Sequence, residues 1–174
     1  MKTTYPEHWP QFFTATIKGW KPLLKENKHK DVIIDSLKFL VEDKRIYLFA
    51  FVIMSNHLHS IWQPLYGHSP SSVQAAFLKF TGFQFKNSLL ETDPVSLALY
   101  EAKKNDRSHH FWKRESLSVE LFNEEVLIQK MNYIHNNPVK AGLCENAEDY
   151  YYSSAKFYSG GEDVFKILTH YSGN

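Results

Sequence analysis

Residues 45–63 read RIYLFAFVIMSNHLHSIWQ, and this stretch decides the fold. Its first half, residues 45–54, is almost wholly apolar and rich in aromatic and β-branched side chains, which favours a central strand over a buried helix. The Ser-Asn pair that follows forms a tight turn, and residues 57–63 become the partner strand, which Pro64 ends. The sequence therefore predicts an antiparallel hairpin.

The segments around the hairpin supply further strands and helices. Apolar and polar residues alternate over 11–20, which predicts a strand, and apolar residues recur at helical spacing over 30–42. A Ser-Pro-Ser-Ser helix start at 69–72 begins a second helix that continues towards Asn87. Residues 111–119 are predicted to add another strand.

The last third of the chain holds a polar connection, a helix and a tail. Residues 91–110 are polar and charged, which indicates a surface connection. Asn123 caps a helix that is predicted to end at about Asn137, because Pro138 disfavours its continuation. Residues 143–174 form an aromatic-rich, irregular tail.

The order strand, helix, hairpin, helix, strand and helix is typical of a split βαβ, ferredoxin-like fold. We therefore predict an α+β protein, with an antiparallel sheet, helices packed on one face, and an additional C-terminal helix. A chain of 174 residues most simply forms one domain, over residues 1–174.

The composition excludes several classes of protein. The single cysteine, Cys144, cannot form an internal disulfide or a multi-cysteine zinc site. The sequence has no apolar run of about 18 residues, which predicts no membrane-spanning segment. The first eight residues lack the apolar core of a signal peptide, so we expect a reduced, cytoplasmic protein without a membrane partner.

The formal net charge of +1 argues against a strongly basic nucleic-acid coat protein, but the charge is unevenly distributed. Residues 1–30 hold six Lys against two Glu, whereas residues 121–150 hold two Lys against five acidic residues. The simpler explanation for the uneven charge is that both segments lie on surfaces exposed to solvent. The alternative for the first segment is an edge that faces phosphates.

His57 and His59 form the first candidate functional feature. Side chains at i and i+2 project from the same face of a strand, about 6–7 Å apart, so the two imidazoles can converge on one metal ion. The alternative is a pair of half-buried histidines on a sheet face.

Tyr133 and Asn137 form the second feature, on the last helix. Leu127, Met131 and Ile134 project towards the core, whereas Tyr133 and its i+4 neighbour Asn137 lie on a separate stripe. A tyrosine that covers the edge of the core, followed by a capping asparagine, is the alternative explanation.

Together the two features suggest chemistry on a phosphodiester. A metal ion held by His57, His59 and the Asn137 carbonyl oxygen would neutralise the phosphate charge and polarise a nonbridging oxygen. Tyr133 could then attack phosphorus and form a covalent phosphotyrosine. Such an intermediate preserves the bond energy, so strand transfer needs no nucleotide cofactor.

Two segments carry a resemblance to a known family, namely VIMSNHLH at residues 52–59 and YIHNNPVKAGL at residues 133–143. A looser match is YSS at residues 152–154, with Tyr158 downstream. In these motifs, their order and their spacing, the chain resembles the single-tyrosine HUH transposases of small bacterial insertion sequences, especially the REP-associated tyrosine transposases.

The resemblance implies a metal-dependent enzyme that cleaves and rejoins single-stranded DNA beside a hairpin. It implies that His57, His59 and Asn137 bind Mg or Mn. It also implies that Tyr133 is the nucleophile, which leaves a 5′-phosphotyrosine and a free 3′-hydroxyl. Family members act as homodimers that exchange the tyrosine helix or as monomers. The rival functions are a non-catalytic hairpin-binding module and a nuclease that uses water.

Further residues are candidates for contacts with DNA. The candidate phosphate contacts are Lys130, Lys140, Lys113, Arg114, Lys18 and Lys21. Trp62, Trp112 and the three tyrosines at 150–152 could stack on unpaired bases or belong to the core. His135 could protonate the leaving 3′-oxygen, although an exposed helix histidine without such a role is the simpler expectation.

Overall fold

The structure is a computed structural model that describes residues 6–103 and 109–173. The strands are β1 (Gln11–Thr16), β2 (Ile46–Ile53), β3 (His57–Pro64) and β4 (Leu117–Glu120). The α-helices are α1 (Asn27–Glu42), α2 (Pro70–Thr92), α3 (Pro94–Leu97), α4 (Glu124–Lys140) and α5 (Ala155–Tyr158). Residues 1–5, part of the segment examined for a signal peptide, lie outside the described ranges. No helix in these ranges is long and apolar enough to cross a membrane.

The four strands form one antiparallel sheet in the order β2-β3-β1-β4. This is the strand order of a ferredoxin-like fold, so the predicted α+β class is confirmed. In the register of β1 and β3, Thr14 lies opposite His59 and Thr16 lies opposite His57. The chain thereby places both histidines where β3 begins.

Both faces of the sheet are covered, because both sets of alternating side chains are apolar. Helices α1 and α2 pack on the face that holds Phe13 and Trp62, as expected for helices on one face. Helix α4 packs on the opposite face, where Leu127, Met131 and Ile134 meet side chains such as Phe12. The prediction that these three residues of α4 face the core is confirmed.

Strand β2 was predicted to be central, and this prediction is wrong, because β2 lies at one end of the strand order. Its apolar character has another cause. The tail shields its free edge: Ile53 N–H donates to the Tyr152 carbonyl at 3.0 Å, and Ser154 N–H donates to the Phe51 carbonyl at 3.0 Å. A strand that is covered on both faces and along its edge has the same continuous apolar sequence as a central strand.

The surface connection predicted over 91–110 is partly wrong. Helix α3 and a 3-10 turn at Ala98–Tyr100 interrupt it, and both Leu97 and Tyr100 are buried in the core. Residues 104–108 lie outside the described ranges. The strand predicted over 111–119 is interrupted: Trp112 forms an isolated antiparallel bridge with Ile17, and regular pairing with β1 is confined to β4.

Helix α4 also differs from its prediction, because it continues through Pro138 to Lys140. The missing N–H of Pro138 removes one intrahelical bond, and the ring is buried. Ala141 N–H still donates to the Asn137 carbonyl at 3.1 Å, and Leu143 N–H donates to the Pro138 carbonyl at 2.9 Å. The last turn therefore keeps its hydrogen bonds despite the proline.

Candidate active site

The histidines of β3 and the tyrosine of α4 meet on the sheet face that α4 covers. The ring centres of His57 and His59 are 4.9 Å apart, and the ring centres of His59 and Tyr133 are 5.3 Å apart. Phe12 stacks on His59 from the neighbouring strand at 5.5 Å. A single chain therefore brings together the two imidazoles and the phenol ring.

Each histidine is oriented by a polar partner on its Nδ1 atom. Asn56 Oδ1 lies 2.7 Å from His57 Nδ1, and Thr14 Oγ1 lies 2.7 Å from His59 Nδ1. The amide oxygen of Asn56 can only accept, so His57 Nδ1 carries the proton and donates it. This arrangement makes Nε2 the ring nitrogen through which His57 meets any further partner, as in protein metal sites.

Asn137 completes the group, one helical turn after Tyr133. Its side chain hydrogen-bonds to His57 and thereby raises the pKa of that histidine, while burial lowers the same pKa more strongly. The net effect is a lowered pKa, so His57 favours the neutral form.

The pKa of His59 falls to about 4, mainly through burial and further through the charges of His57 and Lys130. His59 is therefore neutral at physiological pH, as a metal ligand must be. Within residues 6–103 and 109–173 no group of three His, Cys, Asp or Glu side chains is arranged to hold a metal ion, and the side chain that accompanies the two histidines is the Asn137 amide. Two imidazoles and one amide oxygen are a donor set that fits a divalent cation.

Two lysines of α4 lie beside the tyrosine. Lys130 Nζ lies 5.0 Å from the centre of the Phe12 ring, and Lys140 Nζ lies 5.9 Å from the centre of the Tyr133 ring. The Tyr133 side chain itself is 45% exposed. A polyanion that reaches this tyrosine would therefore meet positive charge near it.

The remaining predicted DNA contacts form a second basic surface, next to His57. Lys18 N–H donates to the Phe111 carbonyl at 2.8 Å, and Lys113 N–H donates to the Thr16 carbonyl at 2.7 Å. This pairing joins the segment after β1 to residues 111–114. It brings together four of the candidates, which we call the basic surface: Lys18, Lys21, Lys113 and Arg114.

The basic surface continues into a groove of about 530 Å³ between α2 and residues 109–114. Lys113 and Arg114 line the groove together with Lys79, an α2 residue that the sequence analysis did not single out. Phe83, an exposed aromatic side chain of α2, lies on the same lining.

Several candidates lie elsewhere. Trp62 and Trp112 are buried, and Trp112 Nε1 donates to Thr81 Oγ1 at 2.9 Å, so neither indole is available to a base. Tyr152 is buried too, and its hydroxyl donates to Asp31 at 2.7 Å. Of the three tyrosines at 150–152, Tyr151 alone is exposed.

The expectation that His135 is an exposed helix histidine is wrong, because the side chain is buried. It is buried against the tail, with Nε2 2.8 Å from Ser154 Oγ. Burial lowers its pKa to about 4, so it is a neutral structural histidine.

Three residues at the site were not predicted from the sequence, namely Thr14, Asn56 and Trp20. Asn56 stood beside the histidine motif and could have been considered as its partner. Thr14 is recognisable only once the register of β1 and β3 is known. Trp20 lies with its ring centre 6.5 Å from that of His57.

Comparison with known proteins supports the fold. The structure of the REP-associated tyrosine transposase bound to a REP hairpin matches with a TM-score of 0.61 and 18% identity, over 100% of this chain and 96% of that one. A candidate transposase from Deinococcus radiodurans matches with a TM-score of 0.52 and 14% identity, over 78% of this chain and 94% of that one. No protein-family model and no curated protein matches the sequence. At these identities the likeness shows a shared fold.

Proposed function

We propose that this protein is a transposase of the single-tyrosine HUH type, which cleaves and rejoins single-stranded DNA beside a hairpin. The observation that carries the proposal is the meeting of Tyr133 with His57, His59 and Asn137 within one chain. The shared fold supports it, since one structural neighbour is a tyrosine transposase bound to a REP hairpin.

His57, His59 and Asn137 would hold the divalent cation, Mg or Mn. When bound, such a cation neutralises phosphodiester charge and polarises a nonbridging oxygen. Asn56 and Thr14 keep the two imidazoles oriented through their Nδ1 atoms. These two hydrogen bonds hold the donor set in place before DNA arrives.

Tyr133 supplies the nucleophile. Its phenolic oxygen forms a bond to phosphorus and loses its proton, while the bond from phosphorus to the 3′-oxygen breaks and that oxygen gains a proton. The product is a 5′-phosphotyrosine and a free 3′-hydroxyl. Attack by a 3′-hydroxyl on this linkage reverses the chemistry and rejoins the strand without a nucleotide cofactor.

Lys130 and Lys140 have a supporting role in the proposal. The Lys140 ammonium lies beside the Tyr133 ring, and the Lys130 ammonium lies beside the Phe12 ring, whose centre is 6.2 Å from that of Tyr133. They attract the DNA backbone and favour the negative charge that develops on the phenol as it attacks. We expect one chain to be sufficient for cleavage, since the tyrosine and the histidines meet without exchange of a helix.

The experiment is adduct formation with Mg or Mn and a single-stranded oligonucleotide that carries a hairpin, analysed on a denaturing gel. We expect a covalent adduct with the wild-type protein, none with Tyr133→Phe, and undiminished hairpin binding by that variant. Tyr66→Phe is the matched control, because Tyr66 is exposed at the far end of β3.

Three outcomes contradict the proposal. An adduct that persists in Tyr133→Phe shows that another residue is the nucleophile. Free 5′-phosphate ends without protein-linked DNA identify a nuclease that uses water. Hairpin binding that ignores the metal and a chelator, with no cleavage, identifies a non-catalytic binding module.

A further inference from the structure

Trp20 occupies a conformation that bulky residues rarely adopt. Its φ angle is 57°, in the left-handed region, and it follows Gly19 at 67°. An aromatic residue at positive φ is an outlier that costs stability. Such residues are found where the surrounding structure stabilises the strained backbone, and they are frequent at functional sites. The indole is also 58% exposed, so burial of the ring does not explain the conformation.

The backbone of Trp20 is tied to the histidine site. Asn56 Nδ2 donates to the Trp20 carbonyl at 3.3 Å, and Asn56 Oδ1 is the atom that holds His57 Nδ1. Ile17 N–H donates to the Asn56 carbonyl at 2.8 Å, which holds the loop against the hairpin turn. One asparagine amide therefore fixes both the histidine ring and the position of the tryptophan.

The surroundings of the indole suit a nucleic acid strand. Trp20 meets His57 edge to face at 6.5 Å, and Lys113 Nζ lies 5.6 Å from the centre of the indole. Lys18 and Lys21 flank it in sequence, and the basic surface continues into the groove that Arg114 lines. An exposed indole with an ammonium group against it is suited to stack on an unpaired base while lysines nearby contact the phosphates.

We infer that Trp20 is a binding residue on which an unpaired nucleobase stacks, next to the phosphate that reaches the histidine site. The inference rests on the proposed function for the identity of the strand. It adds a base-binding subsite that holds the strand to one side of His57, while Tyr133 lies to the other side, beside His59. The exposed ring thus positions single-stranded rather than paired DNA.

The test measures binding of fluorescently labelled oligothymidylate dT12 by anisotropy, with an abasic 12-mer as the comparison strand. Trp20→Gly is the variant of choice, because glycine accepts the φ angle without steric cost. We expect it to weaken dT12 binding about tenfold and to leave abasic binding unchanged. Trp20→Phe keeps a ring and should retain most of the affinity.

The far end of the sheet provides a control. Tyr66→Gly removes a ring that is 90% exposed and lies just beyond β3, a strand that spans roughly 23 Å from His57 to Pro64, and should change neither affinity. Of the four tryptophans, all within the described ranges, Trp20 alone is exposed. Quenching of tryptophan fluorescence by dT12 is therefore expected in the wild type and absent in Trp20→Gly.

Three results overturn the inference: affinity of Trp20→Gly for dT12 within twofold of the wild type, an equal loss for the abasic strand, or no binding of dT12 by the wild type. The adduct assay with Tyr133→Phe separates this inference from the proposed function. A normal adduct with unchanged dT12 binding by Trp20→Gly overturns the stacking alone. Ring-dependent binding without any adduct overturns the transposase chemistry alone.

Discussion

His135 makes the stability of the protein sensitive to acid, and the size of the effect follows from its surroundings. Its pKa is about 4 in the folded protein, because burial disfavours the charged form, against 6.5 for the ordinary side chain. The lowered pKa means that the contribution to stability is fully present above about pH 6.5 and is lost as the pH falls towards 4. Between pH 7.5 and pH 5 the loss amounts to about 2 kcal/mol.

The perturbation that isolates this effect is His135→Gln, which removes the titrating group and keeps a polar side chain beside Ser154. Urea unfolding, followed by circular dichroism, gives the free energy of unfolding of both proteins. We expect the wild-type value minus the His135→Gln value to be about 2 kcal/mol smaller at pH 5 than at pH 7.5. Comparison with the wild type cancels the contribution of His59, whose pKa also falls to about 4. Parallel loss of stability by both proteins would refute the reasoning.

Two further predictions concern the sheet. Thr14→Val removes the hydroxyl that orients His59 while keeping the shape of the side chain. We therefore expect Mn²⁺ affinity, measured by calorimetry, to fall about 10- to 100-fold with little change in stability. Unchanged affinity would contradict the orienting role of Thr14. Ser60→Ala removes a buried hydroxyl that has no hydrogen-bond partner among the described residues, so thermal unfolding should show about 1 kcal/mol of added stability. A loss of stability would instead indicate a partner for that hydroxyl.

The elements of the fold were predictable where the sequence pattern is local. The alternation over β1, the apolar run of β2 and the Asn123 cap of α4 each depend on residues close together in the chain. The features that failed depend on distant segments. Strand β2 reads as central because the tail covers its edge, and Tyr100 is buried by elements that the local pattern does not contain.

The candidate site divides in the same way. The pairing of His57 with His59 follows from the period of a strand, and that of Tyr133 with Asn137 from the period of a helix. Their approach to each other required the packing of α4 on the face that holds the histidines. Trp20 could not be predicted, because a positive φ at a tryptophan leaves no pattern in the sequence.

The near-neutral charge of the chain is compatible with a DNA substrate because the charges are separated in space. The basic surface lies next to His57, whereas a groove of about 580 Å³ in the tail, beside β2, is lined by Glu148, Asp149, Glu162 and Asp163. Opposite charges on two separate surfaces cancel in the net charge of the chain, but each surface keeps its own electrostatic potential. A polyanion is therefore attracted to the basic surface and repelled from the acidic groove. If the proposed function holds, this separation of charge would draw a strand towards the basic surface even though the net charge is only +1.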